Sequence, residues 1–296
     1  MPASRRSRVA AYAAALGASV LLAACGSAAT SSSSSRARVG ARPRTLPLPA
    51  GVIAASTPQL NGYLWVLSGT VRARAVAQFS LSTGQRQALE PVSADASAVA
   101  ESSTGTLALG LATPGAGAVQ LLGADGRGRA TIAVGAPVRA LAFGSDGSTL
   151  YVLDGNRSSA SVTVIDTVKR RVRALIGVPR DAVSIAPTPD QSAVWSAQAS
   201  GGVTETSLRT RRVLTQLSVG SPAISLALAP TGATLYVLKG TSLTANIAVI
   251  DTATSSMRRV LPAASDSVAV QVSPNGGSLY DFVGAPSYGN VQIIGL

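Results

Sequence analysis

The apolar residues of this chain fall in short runs separated by turns. Between residues 138 and 176 the runs are Val138 to Phe143, Leu150 to Leu153, Val162 to Ile165 and Val172 to Ile176. Each is four to six residues long and rich in Val, Ile, Leu and Tyr, which predicts β-strands. Two segments nearly repeat each other. Ser148-Thr149-Leu150-Tyr151-Val152-Leu153 followed by Val162-Thr163-Val164-Ile165-Asp166-Thr167 matches Ala233-Thr234-Leu235-Tyr236-Val237-Leu238 followed by Ile247-Ala248-Val249-Ile250-Asp251-Thr252. They lie 85 residues apart, twice a period of about 43.

Weaker copies placed at that period make Leu64, Leu107, Leu150, Ala193, Leu235 and Leu279 equivalent, with spacings of 43, 43, 43, 42 and 44. A turn pair precedes each: Asn61-Gly62, Thr104-Gly105, Asp146-Gly147, Asp190-Gln191, Thr231-Gly232 and Asn275-Gly276. These residues tolerate positive φ and mark tight hairpins. Four strands in about 43 residues is the content of one propeller blade. The last unit stops after its third strand, and Arg44 to Pro49 precedes the first unit with no blade of its own. The expectation is an all-β protein, a β-propeller of six four-stranded blades. Its N-terminal strand joins the C-terminal blade and closes the ring by pairing with Val291 to Ile294, and prolines are tolerated there because a fourth strand is an outer edge. The Leu-Tyr-Val and Val-Ile-Asp-Thr segments, with Asp-Gly or Asn-Gly upstream, resemble the YVTN-type β-propeller repeats of bacterial and archaeal surface proteins. That resemblance covers residues 44–296; members of the family often have seven blades, so six departs from the common form.

The N-terminus reads differently. Arg5, Arg6 and Arg8 precede an apolar run of 16 residues, Val9 to Ala24, the shape of an export signal and shorter than the roughly 20 residues of a membrane span. Leu22-Ala23-Ala24-Cys25-Gly26 resembles the lipobox of bacterial lipoproteins, which implies cleavage after Ala24 and diacylglycerol on the sulfur of Cys25, the single cysteine. Ser4-Arg5-Arg6 has some likeness to a twin-arginine signal, but Ser7 and Arg8 stand where hydrophobic residues should follow, which favours the general secretory route. The organisation expected is a signal peptide over 1–24, a lipidated flexible tether over 25–43 and the propeller over 44–296. The tether is rich in Ser, Ala and Gly, and Arg36, Arg38, Arg42 and Arg44 near its end suit anionic lipid head groups or plain solubility.

Charge adds little beyond that. The formal +12 falls to +9 once the three signal arginines are removed, and the rest is scattered along a chain with 4% aromatic residues. That gives no case for nucleic acid.

The chain has no histidine, which excludes Ser-His-Asp and Cys-His catalysis and histidine ligation of metals. No cofactor is implied. Ten residues before each turn glycine, or its Gln191 equivalent, stand Val52, Asp95, Pro137, Asp181, Pro222 and Asp266. The three aspartates would stand around one mouth of the central channel, on alternate blades. Two readings stay open: an acidic ring for a cation or a basic group of a partner, or a position where Pro and Asp both suit the same turn. Asp166 and Asp251, after the third strand, read as turn residues.

Connectivity puts the aspartates on the face of the loops between strands two and three, opposite the tether. Arg72, Arg74, Arg157, Lys239 and Tyr288 join them there as binding candidates. The function expected is a lipid-anchored extracytoplasmic module, held to the membrane through Cys25, that binds or scaffolds an envelope protein or polymer without catalysis. The alternative is a hydrolase of a lactone or cell-wall sugar using carboxylates at the channel mouth.

Overall fold

The computed structural model describes residues 43–123, 130–156, 158–241 and 243–296. The expectations for the signal, Cys25, the tether and Arg157 therefore lie outside the described residues. The chain begins with β1 (Arg44–Leu48) and then makes blades in sequence order. Blade 1 runs from β2 (Val52–Ala55) to β5 (Arg86–Val92), blade 2 from β6 (Ala96–Glu101) to β9 (Ala130–Val134), and blade 3 from β10 (Val138–Phe143) to β13 (Arg171–Val178). Blade 4 runs from β14 (Ala182–Pro187) to β17 (Val213–Ser218), and blade 5 from β18 (Ala223–Leu228) to β21 (Ser256–Pro262). Blade 6 consists of β22 (Ser267–Val272), β23 (Ser278–Gly284) and β24 (Gly289–Gly295), completed by β1 as its outermost strand. Every blade is a four-stranded antiparallel meander, and the six first strands neighbour one another around a ring, β22 meeting β2. The molecule is a six-bladed β-propeller.

The ring closes as the sequence predicts. β1 pairs antiparallel with β24, from Arg44 opposite Ile293 to Leu48 opposite Gly289. Leu46, buried within that pair, packs with Val291, Phe79 and Phe282 in an apolar cluster that joins blade 6 to blade 1. A Cβ on Gly289 would collide with the Pro49 carbonyl, so the chain passes there only over glycine. Pro47 is harmless because β1 is an outer edge.

The apolar core forms layers between blades. Six buried clusters fill the six junctions, as in Leu150 and Ile165 with Val119 between blades 2 and 3, or Trp195 with Leu235 and Ile250 between blades 4 and 5. Each sheet thus has two buried faces, which explains strands such as β11 (Thr149–Gly155) that are buried at every position. Inner strands converge on the axis and take small residues, among them Ala54, Ala98, Ala140, Ala142, Ala227 and Ala269. Outer strands are exposed and carry Arg86, Arg171, Arg173, Arg258 and Arg259, charges that discourage edge-to-edge pairing.

Positive φ falls at each predicted turn: Gly62, Gly105, Gly147, Gly232, Gly276 and Gln191, the last at +55°. Two placements need correction by one residue. In blade 4 the equivalent of Leu150 is Val194 rather than Ala193, because Ala182 pairs with Gln198 as Val138 pairs with Asp154. In blade 1 Gly51 rather than Val52 takes the place of Asp95, because the first turn of that blade is one residue longer.

Leu46→Ala is expected to destabilise the propeller by about 2–4 kcal/mol in urea denaturation, as a buried large-to-small change that loosens the closing pair. Deletion of residues 44–48 is expected to do far more. A deletion variant with wild-type stability contradicts the closure.

Candidate functional site

The site is built by the six inner strands. Each has a bulge at its second residue, which lets one extra side chain into the wall: Ile53, Ser97, Arg139, Val183, Ile224 and Val268. All six line a central channel of about 290 Å³. Among the described residues Arg139 is the one charged side chain lining it.

Neighbouring blades are also stitched by side chains. Arg74 donates to the Ala96 carbonyl from blade 1 to blade 2, and Ser97 Oγ to the Val138 carbonyl at 2.7 Å from blade 2 to blade 3. Arg139 Nη1 donates to the carbonyls of Arg180 at 2.9 Å and Ala182 at 2.8 Å, crossing from blade 3 to blade 4. The Leu226 N–H donates to Ser184 Oγ at 3.2 Å and the Val270 N–H to Ser225 Oγ at 3.3 Å, across the next two junctions. Gln271 Nε2 donates to the Ala55 carbonyl at 3.2 Å and completes the circuit. Bonds of this kind contribute about 1 kcal/mol each, and their larger effect is to fix the angle between blades.

At the distal mouth, where the inner strands begin, the residue before each inner strand accepts a backbone bond from the end of strand two. Asp95 accepts in this way from Ala112, Asp181 from Ala199 and Asp266 from Gly284. Their side chains are not brought together as a cation site, since no group of three or more acidic residues, histidines or cysteines among the described residues could hold a metal ion. Asp181 instead accepts from the Ser200 N–H at 2.9 Å, and Asp266 from the Tyr288 hydroxyl at 3.2 Å. Burial pushes the Asp181 carboxyl upward, but the Ser200 bonds and the nearby Arg180 outweigh it and hold the group below its ordinary value. Asp95 and Asp181 stand third in four-residue turns closed by Ser93 with Ala96 and by Pro179 with Ala182.

The distal-face candidates are largely engaged. Arg74 is spent on the blade 1 to blade 2 stitch, Lys239 donates to the Val219 carbonyl at 2.7 Å, and Tyr288 binds Asp266. Arg72 is exposed on its loop. Two more acids support this face from beneath. Asp154 accepts from Ser161 and Thr163, and fully buried Asp281 accepts from the Ala264 N–H; burial raises both carboxyls above their ordinary value.

The opposite mouth holds a residue that the sequence reading passed over. Glu101, at the end of β6, is 8% exposed and lines a recess of about 300 Å³ with Gln59, Phe143, Thr188, Pro230 and Gln271. Burial pushes its carboxyl up to about 7 against a hydrogen bond from the Trp65 side chain. Its equivalents in the other blades are Thr57, Phe143, Pro187, Leu228 and Val272, so an acid in an otherwise uncharged series was the available signal.

Neither a protein-family model nor a curated protein sequence matches the chain. Among solved structures the backbone is similar to Kuenenia stuttgartiensis hydrazine synthase, with a TM-score of 0.63 and 18% identity over 80% of this chain and 74% of that one. At that identity the likeness shows the fold alone.

A carboxyl raised from 4.5 to about 7 on folding keeps a proton that the unfolded chain has lost. It contributes stability that is fully present below pH 4.5 and is lost as pH rises through about 7. Melting temperature is expected to fall over that window in the wild type, and Glu101→Gln is expected to remove this component. An identical pH profile in the Gln variant contradicts the assignment.

Proposed function

We propose that this chain is a lipid-anchored, extracytoplasmic β-propeller that acts as a non-enzymatic binding or scaffolding module for an envelope protein or polymer. The observation that carries the reading is the lipobox-like Leu22-Ala23-Ala24-Cys25-Gly26 directly after a 16-residue apolar run, followed by a polar tether and then by β1. A lipid on Cys25 would tie the propeller to the bilayer through the Ser-, Ala- and Gly-rich segment that precedes β1. β1 begins on the face of the turns between strands one and two and ends beside Gly289 on the distal face. The chain thus enters the propeller on the Glu101 side, and the loops at 70–73 and 285–288 stand on the opposite face. Rigid scaffolds present binding residues on such loops.

Binding is favoured over hydrolysis by how the acids are used. Most enzymes that hydrolyse a sugar bond use two carboxyl groups flanking the scissile bond. Among the described residues Glu101 is the single acid lining the proximal recess, and none lines the channel. Asp146 and Asp190 are committed to turns; bonds from Thr149 and Ser148 hold Asp146 at about 2 despite the upward push of burial. The repeat type that the sequence resembles, YVTN, belongs to surface proteins, which agrees with this location.

Cys25→Ser is expected to move the protein from the membrane fraction to the soluble one, or to leave its signal uncleaved. A Ser variant still cut after Ala24 and still membrane-bound sinks the anchor. Affinity capture from membranes with the anchor intact, repeated with loops 70–73 and 285–288 replaced by Gly-Ser, is expected to recover a partner only with the native loops.

A further inference from the structure

The inner strands are edge strands, and one row of their backbone groups faces the channel. The row follows from the pairing. The Gly144 N–H bonds the Thr149 carbonyl, so alternate pairs along β10 and β11 exchange bonds and Leu141, opposite Val152, does not. Its N–H and C=O point inward. The same alternation, set by Ser56 with Trp65, Ser102 with Thr106 and Thr188 with Ala193, turns the backbones of Ala55, Val99 and Ile185 inward as well. The equivalents in blades 5 and 6 are Leu226 and Val270.

These six N–H groups form one level around the axis, and the chain treats them unequally. Those of Leu226 and Val270 are capped by Ser184 and Ser225 of the preceding blade. At the other four junctions the capping position holds alanine: Ala54, Ala98, Ala140 and Ala269. Four backbone donors thus face the channel on one level, two residues along from the bulge level that carries Arg139. Along each strand N–H precedes C=O, so the donors lie toward Arg139 and the carbonyls beyond them. Arg139 makes its bonds to carbonyls only. The single ion pair among the described residues is Arg258 with Asp251, so the Arg139 charge is not neutralised by a contacting carboxylate. The mouth acids Asp181 and Asp266 are turned to Ser200 and Tyr288.

We propose that the distal half of the channel is a binding site for an oxyanion, the phosphate or carboxylate group of a small molecule, held by the N–H groups of Ala55, Val99, Leu141 and Ile185 and by the charge of Arg139. Convergent backbone N–H groups bind anions in other settings by the same physics. A ligand that supplies oxygen atoms on this level can accept from several of these donors at once. Ile53, Val183, Ile224 and Val268 offer apolar contact to the rest of the molecule, and a channel of about 290 Å³ limits it to a compact one. The site is independent of the envelope partner proposed above.

The test uses the full chain purified in detergent at constant ionic strength, with inorganic phosphate, acetate and benzoate as probes. Melting temperature is expected to rise saturably with at least one of them, benzoate exceeding acetate if the apolar wall takes part. Arg139→Gln is expected to abolish the response and Arg139→Lys to keep part of it. Because Arg139 also ties blade 3 to blade 4, the deciding variant is Ala98→Ser with Ala140→Ser. Its hydroxyls cap Leu141 and Ile185 as Ser184 and Ser225 cap their neighbours, so it is expected to hold the ligand-free melting temperature while weakening anion affinity about tenfold or more. No saturable response to any of the three anions, or an undiminished response in the double serine variant, overturns the site.

Discussion

Every blade of this protein buries both faces of its sheet, so each needs a neighbour on both sides. Only a closed ring satisfies that condition. Five junctions are formed between consecutive blades, but the sixth depends on five residues, Arg44–Leu48, pairing with a strand almost 250 residues later in the chain. Without that pair, the cluster of Leu46, Phe79, Phe282 and Val291 loses its clamp, and β24 becomes an exposed edge. The channel, its two mouths and the distal loops all inherit their geometry from this one contact.

The repeat was legible because each blade rewrites the same few constraints. A turn needs positive φ, hence glycine, and even Gln191 was identified as the exception by spacing alone. The unpaired strand at the start and the missing strand at the end implied one another. Errors of a single residue arose where the spacing departs from 43: the longer first turn moved Val52 to Gly51, and a 44-residue step from Leu150 moved Ala193 to Val194.

The site was less legible, for a physical reason. A strand shows which side chains share a face but not which backbone carbonyl of the next blade lies beside them. Arg74, Lys239 and Tyr288 read as surface residues, yet each is drawn into a contact with a neighbouring loop or blade. Arg139 and Glu101 were overlooked for the opposite reason: both stand in apolar runs, where their charge stands out only once the six inner strands are aligned. Alignment also separates the serine-capped from the alanine-bearing junctions, a difference of one oxygen atom that decides which inward-facing donors are capped.

In a ring closed this way, β1 and β24 belong to the same cooperative unit as the other strands. Hydrogen exchange of the native protein, followed by mass spectrometry of peptides covering 44–48, 289–295 and the interior strand Ala160–Asp166, tests it most directly. The account predicts that the hydrogen-bonded amides of all three segments are protected and open together as denaturant is raised. Rapid exchange over 44–48 and 289–295 while Ala160–Asp166 stays protected would show an open ring and contradict it.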